Sequence, residues 1–348
     1  MLNRNLSYAL LMGLTILAGC KKDTNPGPEE PVIAPPPDFG FKIVGYVPNY
    51  RDPATIPDVK FRMTNVINYA FATVNASGVP VVNNPTRLPL VVTKAKANNA
   101  KVLISLNGSA ANWKAMATTA SGRNLYIQGV MNIIRQYELD GADVDWEFPS
   151  TADGTDTLYT ALIKELSDSC HLNRKYYLTA ALTAGKYSGS YRDAIKAEVF
   201  NYYDWMNIMA YDDFSSSVPY RQHSPYALAD SCLKYWLNRR GMPKSKCVLG
   251  LPAYGRPSGI TQTNNVLTYA TIIQQKGPSY AFTDSAVVTS SGHASPFTVY
   301  YNGQPTIKLK TALAKQVANG VMMWEKGQDS HDSTSLLKAV NDELGRSY

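Results

Sequence analysis

From Lys42 onward, short apolar strands alternate with amphipathic helical stretches, and the alternation repeats eight times. The strand-like runs are Lys42–Val47, Val66–Val74, Lys101–Leu106, Gly141–Glu147, Tyr176–Leu182, Trp205–Tyr211, Cys247–Tyr254 and Gly320–Trp324. Leu90–Asn98, Gly122–Tyr137, Leu158–Asp168 and Tyr226–Arg239 lie between them with apolar residues at helical spacing. Parallel strands need a long crossover, usually a helix. Eight such units predict an α/β fold, a (β/α)8 TIM barrel, over residues 41–348. An open doubly wound sheet would want a Gly-rich phosphate turn after the first strand. Tyr46-Val47-Pro48-Asn49-Tyr50 stands there instead. One interval, about 256–306 between strands seven and eight, is too long for a plain helix connection. It mixes turns with strand-like Ala286–Thr289 and Phe297–Tyr301 and is expected to form an elaborated loop, a short insertion over the barrel mouth.

The chain opens differently. Arg4 and the apolar run Tyr8–Ala18, too short to span a bilayer, make residues 1–19 a signal peptide. Leu17-Ala18-Gly19-Cys20 resembles the lipobox of bacterial lipoproteins, which implies cleavage before Cys20 and its acylation. The Pro-rich residues 20–40 are expected to be a flexible tether. Lys21 rather than Asp after Cys20 favours an outer-membrane address by resemblance to enteric sorting rules, and the only expected membrane contact is the lipid anchor.

Composition narrows the chemistry. The net charge of +7 is scattered with no Lys/Arg stripe, so no nucleic-acid partner is expected. The four histidines (His171, His223, His293, His331) lie neither beside an acidic cluster nor at ligand spacing, which removes support from zinc hydrolysis and Ser-His catalysis. Cys170, Cys232 and Cys247 fit no metal signature and read as buried packing thiols. No metal or cofactor is expected, and the protein is expected to act as a monomer.

The chemistry concentrates in Asp-Gly-Ala-Asp-Val-Asp-Trp-Glu, residues 140–147. On a strand, side chains alternate faces. Asp143, Asp145 and Glu147 then share one face and Val144 and Trp146 the other. Carboxylates roughly 6–7 Å apart along a strand repel and raise each other's pKa. One protonated carboxyl beside an ionised one is what glycosidic cleavage requires. A calcium loop would place its glycine sixth, whereas here it comes second between strand-forming residues. A solvated acidic edge would not follow the apolar, helical-looking run Tyr126–Tyr137.

Together the strands resemble the family 18 glycoside hydrolases, the chitinase-type family, over Phe41 to about Leu337. The resemblance centres on Asp-x-x-Asp-x-Asp-x-Glu at Asp140, Asp143, Asp145 and Glu147. Similar runs stand at Gly45-Tyr46, Ile67–Phe71, Met209–Asp212, Gly250–Arg256 and Gly320–Glu325. It implies that Glu147 is the general acid and that the sugar's own acetamido oxygen is the nucleophile. Asp145 would orient that acetamido group, with Asp143 behind it and Tyr211 donating to its carbonyl. Trp324 would be the sugar-stacking floor. Tyr46, Phe71, Met209, Asp212, Tyr254 and Arg256 would complete the substrate-binding surface. Asp140, on the opposite parity, is read as structural, and Ser105 as a hydrogen-bond donor to Asp143. Trp113, Tyr187, Phe214 and Tyr220 are rim candidates.

Two departures stand out. Strand three reads Ser105-Leu106-Asn107-Gly108 where the family usually has Ser-x-Gly-Gly, and Thr183 replaces a usual proline. The implied activity is an endo-chitinase cutting β-1,4 links between N-acetylglucosamine units. Alternatives are an endo-β-N-acetylglucosaminidase acting on N-glycans or peptidoglycan, or a non-catalytic surface glycan-binding protein. The retained Glu147 argues against the last.

Overall fold

The eight long apolar runs become β1 (Lys42–Pro48), β2 (Val66–Val74), β3 (Lys101–Asn107), β4 (Gly141–Val144), β5 (Tyr177–Thr183), β6 (Trp205–Met209), β7 (Cys247–Pro252) and β8 (Gly320–Trp324). The structure is a computed structural model, and it describes residues 31–213, 221–257, 266–290 and 295–348. Each strand pairs in parallel with the next, and β8 returns to β1, so the barrel closes as expected. Closure leaves no barrel strand with an open edge. Alternation sorts the core into two layers. On β1, Val44 and Tyr46 face inward, while Ile43 and Val47 face the outer helices.

Several strands end earlier than the apolar pattern suggests. The ladder of β4 stops at Val144 rather than Glu147, after one further bond from the Asp145 amide to the Leu106 carbonyl (2.8 Å). β6 stops at Met209 because the amides of Ala210 and Tyr211 turn back to the carbonyls of Ile208 and Met209. β7 stops at Pro252. Tyr254 instead opens a separate antiparallel sheet made of Tyr254–Pro257, Leu267–Thr268, Phe297–Tyr300 and Ser285–Val288. The interval before β8 is therefore a small sheet with the helix Tyr269–Lys276 rather than a loop. Its alternating apolar residues, such as Ala286, Val288 and Val299, are buried.

The segment just before β1 departs from expectation. Val32–Gly40 is not a free tether, because it docks on the face where the strands start. The Val32 and Ala34 amides bond to Asn173 Oδ1 (3.2 Å) and the His171 carbonyl (3.1 Å). The Tyr177 hydroxyl donates to the Pro37 carbonyl at 2.9 Å. Phe39 meets Tyr177 and Trp205 edge-on at 5.6 and 5.8 Å, closing the barrel floor. Tyr177 and Trp205 are the first residues of their strands, which fixes the face. Composition alone suggested a solvated chain, but one aromatic residue supplies the apolar anchor. The signal peptide, Cys20, His293, Phe214 and Tyr220 lie outside the described residues. Cys170, Cys232 and Cys247 are buried free thiols.

Closure is also secured by charge. Lys60 and Asp329 form a fully buried pair at 2.5 Å. Asp329 additionally accepts from the Ser335 hydroxyl and from the Leu336 and Leu337 amides at the start of the helix Leu336–Leu344. Breaking a buried pair strands the remaining charge. Asp329→Ala is therefore expected to lower unfolding free energy by about 3–5 kcal/mol, measurable by urea denaturation.

Candidate active site

At the C-terminal ends of the strands, a cleft of about 660 Å³ is lined by Asp145, Glu147, Tyr46, Met209, Tyr211, Asp212 and Trp324. A second wall comes from the segment after β5, with Thr183, Lys186, Tyr187, Tyr191 and Arg192. The alternation in β4 continues past its last ladder bond. Asp143 and Asp145 face the barrel interior, while Val144 and Trp146 pack outward. Trp146 stacks on Trp113 at 4.8 Å and 7°. Trp113 is thus fully buried and is not a rim residue.

Asp143 lies at the bottom of the site, completely buried, and four side chains hold it. Tyr46 (2.6 Å) and Ser105 (2.8 Å) donate to Oδ2. Thr179 (2.6 Å) and Asn207 (3.3 Å) donate to Oδ1. Register explains two of them: Ser105 and Thr179 are the direct ladder neighbours of Asp143 on β3 and β5. Burial raises the Asp143 pKa, and these donors work against that rise.

Asp145 sits above it. Its Oδ2 and its own carbonyl accept from the Asn107 amide at 3.2 and 3.1 Å. Its buried Oδ1 has no partner among the described residues. Burial first, then the charges of Glu147 and Asp143, raise its pKa well above the ordinary carboxylate range. Glu147 is exposed at the edge of the cleft. Burial first, then Asp212, raises its pKa, while a hydrogen bond with Asp145 opposes the rise. Like-charge crowding thus contributes as the sequence suggested, but burial is the larger cause.

The opposite wall is built on Asp212. Its φ of +63° lies in the left-handed region, uncommon for a residue bearing a side chain. Oδ1 accepts from the Tyr254 hydroxyl (2.8 Å) and Arg256 Nε (2.7 Å). The Asp212 amide donates to Nδ1 of fully buried His223 (3.2 Å), whose Nε2 meets the Tyr254 carbonyl (3.3 Å). An Nδ1 that accepts and an Nε2 that donates define a neutral imidazole, in keeping with burial lowering the His223 pKa. Burial opposes ionisation of Asp212, but the Arg256 guanidinium on its Oδ1 overcomes it and holds the carboxyl well below the usual range. Asp212 is thus held ionised at the cleft wall.

Tyr211 is half-buried, and burial followed by the surrounding carboxylates raises its pKa, so its hydroxyl stays a donor. Bare backbone at Gly250 admits its ring: a Cβ there would lie 2.9 Å from Tyr211 Cε1 and 2.4 Å from the Ile208 carbonyl. Trp324 forms the floor, stacked on Phe71 (6.0 Å, 27°) and edge-on to Tyr46 (5.4 Å).

The sequence-derived residues therefore divide. Glu147, Asp145, Tyr46, Met209, Tyr211, Asp212 and Trp324 meet in the cleft, with Asp143 and Ser105 beneath. Phe71 supports Trp324 from behind rather than lining the cleft. Tyr254 and Arg256 belong to the inserted sheet and reach Asp212 instead of the cleft wall. Asp140 ties the strand starts together, accepting from the Val102 amide at 2.8 Å. Thr179, Asn207 and His223 were not singled out for the site. Their only signal is position on strands five and six or just beyond, and all three are common core residues.

A closed parallel barrel whose strand ends carry a raised-pKa acid above buried carboxylates is a glycoside hydrolase. The profile of the glycosyl hydrolases family 18 matches residues 42–329, and the chain belongs to that family as a chitinase-type enzyme. It is 32% identical over 226 residues to a probable endochitinase of Caenorhabditis elegans, matching 55% of this chain but 36% of that longer protein. The crystal structure of the family 18 chitinase ChiB from the chitin utilization locus of Flavobacterium johnsoniae superposes with a TM-score of 0.72 and 29% identity, covering 87% of this chain and 94% of the other. A chitinase structure from Bacteroides thetaiotaomicron gives 0.76 and 26%, covering 88% and 98%.

Proposed function

We propose that the protein is an endo-acting chitinase that hydrolyses β-1,4 links between N-acetylglucosamine units, with retention and with the substrate's acetamido group as nucleophile. The observation that carries this is Asp145 Oδ1, a buried acceptor that receives no amide or hydroxyl donor among the described residues and lies beside the acid Glu147. A buried orphan acceptor is costly, and an acetamido N–H would satisfy it. Glu147 protonates the glycosidic oxygen, and the acetamido oxygen bonds to the anomeric carbon as the leaving sugar departs. Asp145 takes the N–H and offsets the positive charge of the resulting oxazolinium, and the Tyr211 hydroxyl donates to the acetamido carbonyl. Water, deprotonated by the Glu147 carboxylate, then opens the ring on the same face. Trp324 supplies the apolar surface for the sugar in the −1 site. The enzyme acts as a monomer.

A methyl-thiazoline mimic of the oxazolinium is expected to inhibit competitively at micromolar to low millimolar concentration. Absence of inhibition at millimolar concentration rules out the substrate-assisted route. Product analysis on colloidal chitin, N-glycoprotein and peptidoglycan in parallel assigns the polymer, since activity confined to either of the last two would replace chitin as substrate. We further propose that acylation of Cys20 anchors the enzyme to the cell envelope at the outer membrane. Retention of a Cys20→Ser variant in the membrane fraction would disprove that.

A further inference from the structure

The Asn107 side chain hydrogen-bonds both the carboxylate and the backbone carbonyl of Asp145. On the substrate-assisted reading above, we infer that Asn107 is a positioning residue that locks Asp145 toward Glu147 and away from Asp143. Three observations converge. First, both oxygens of Asp143 are already taken by hydroxyl and amide donors, so Asp143 has no need of a proton shared with Asp145. Second, the groups that hold the two aspartates are different: Tyr46, Ser105, Thr179 and Asn207 donate to Asp143, and the Asn107 amide donates to Asp145, with no donor bridging the two carboxylates among the described residues. Third, the amide of Asn107 spans Oδ2 and the main-chain oxygen of the same residue, which fixes the side-chain rotation and leaves Oδ1 with no amide or hydroxyl donor among the described residues.

The neighbouring position shows that this side chain is not incidental filling. A Cβ at Gly108 would fall 2.3 Å from Val74 Cγ1, so the chain cannot carry a side chain there. One residue earlier the strand end is open enough for an amide, and it is aimed at Asp145. Asn107 does not line the cleft, so it acts through Asp145 rather than on the sugar. A donor to a carboxylate favours the ionised form. Asn107 therefore limits how far burial and neighbouring charge lift Asp145, besides fixing its orientation.

The test compares wild type, Asn107→Gly and the isosteric Asn107→Asp, using an N-acetylglucosamine tetramer as substrate. Asn107→Gly is expected to lower kcat about tenfold to a hundredfold, the range of one hydrogen bond to a charged group. KM should hold within about twofold, and the acid limb of kcat/KM should move up by roughly one pH unit. Asn107→Asp keeps the shape but replaces the donor with a carboxylate, and its loss near neutral pH is expected to be larger. It also serves if the glycine variant does not fold. A folded variant with kcat within about twofold of wild type and an unmoved acid limb overturns the inference. So does a loss confined to KM. Independently of any substrate, the 13C carboxyl resonance of Asp145 should titrate at higher pH in Asn107→Gly than in wild type, and identical midpoints also overturn the inference. If wild type cuts no N-acetylglucosamine oligomer, the proposed function falls, while the resonance still decides the role of Asn107.

Discussion

Glu147→Gln is expected to reduce kcat on N-acetylglucosamine oligomers by roughly 10³–10⁴-fold, the upper part of what a positioned general acid supplies. Glutamine keeps the volume and hydrogen-bonding reach of the carboxyl, so oligosaccharide binding should remain within severalfold. The proton is what disappears. The pH profile sharpens the test. Burial and the ionised Asp212 raise the Glu147 pKa, so the acid form persists toward neutral pH and activity declines as pH rises through that folded-state value. The variant should lose this alkaline limb along with its rate. Steady-state kinetics on a fluorogenic chitobioside from pH 4 to 9 reads both. A variant within tenfold of wild type would place the acid elsewhere.

Asp145→Asn should separate catalysis from stability. Removing the carboxyl whose ionised form offsets the developing cation costs about 10²–10³-fold in kcat. Stability should move the other way. The folded-state pKa of Asp145 is raised well above the ordinary value. Between the unfolded and folded pKa values, the native state therefore holds a proton that the unfolded chain has released. Unfolding free energy falls as pH rises through that window. Asparagine removes the cost, so the variant is expected to be more stable than wild type near neutral pH by about 1 kcal/mol or more, with the advantage vanishing at acid pH. Thermal unfolding at pH 4 and pH 7.5 checks this. A variant that is destabilised at neutral pH would mean that the ionised carboxylate is held by attractions outweighing its burial.

Both effects were partly legible in the linear chain. Period-two alternation put Asp143, Asp145 and Glu147 on one side and Val144 and Trp146 on the other, and that division holds although the ladder ends at Val144. Local sequence also identified the carboxylates as mutually perturbing. It had no access to Asp212, which approaches Glu147 from another strand, or to the extent of burial, which is a property of the closed barrel. The donors to Asp143 were legible only where a ladder neighbour was polar and already suspect, as at Ser105. Thr179 and Asn207 look like ordinary strand residues until the barrel places them inside. The family resemblance carries Tyr254 and Arg256 to the cleft along strand seven. The turn after Pro252 sends them into the inserted sheet, where they act on Asp212 from behind.

The docking of Val32–Gly40 beneath the barrel has a geometric consequence. Val32–Gly40 covers the side where the strands begin, while the sugar-cutting mouth opens on the side where they end. A long glycan can therefore lie across the working rim without meeting the docked segment.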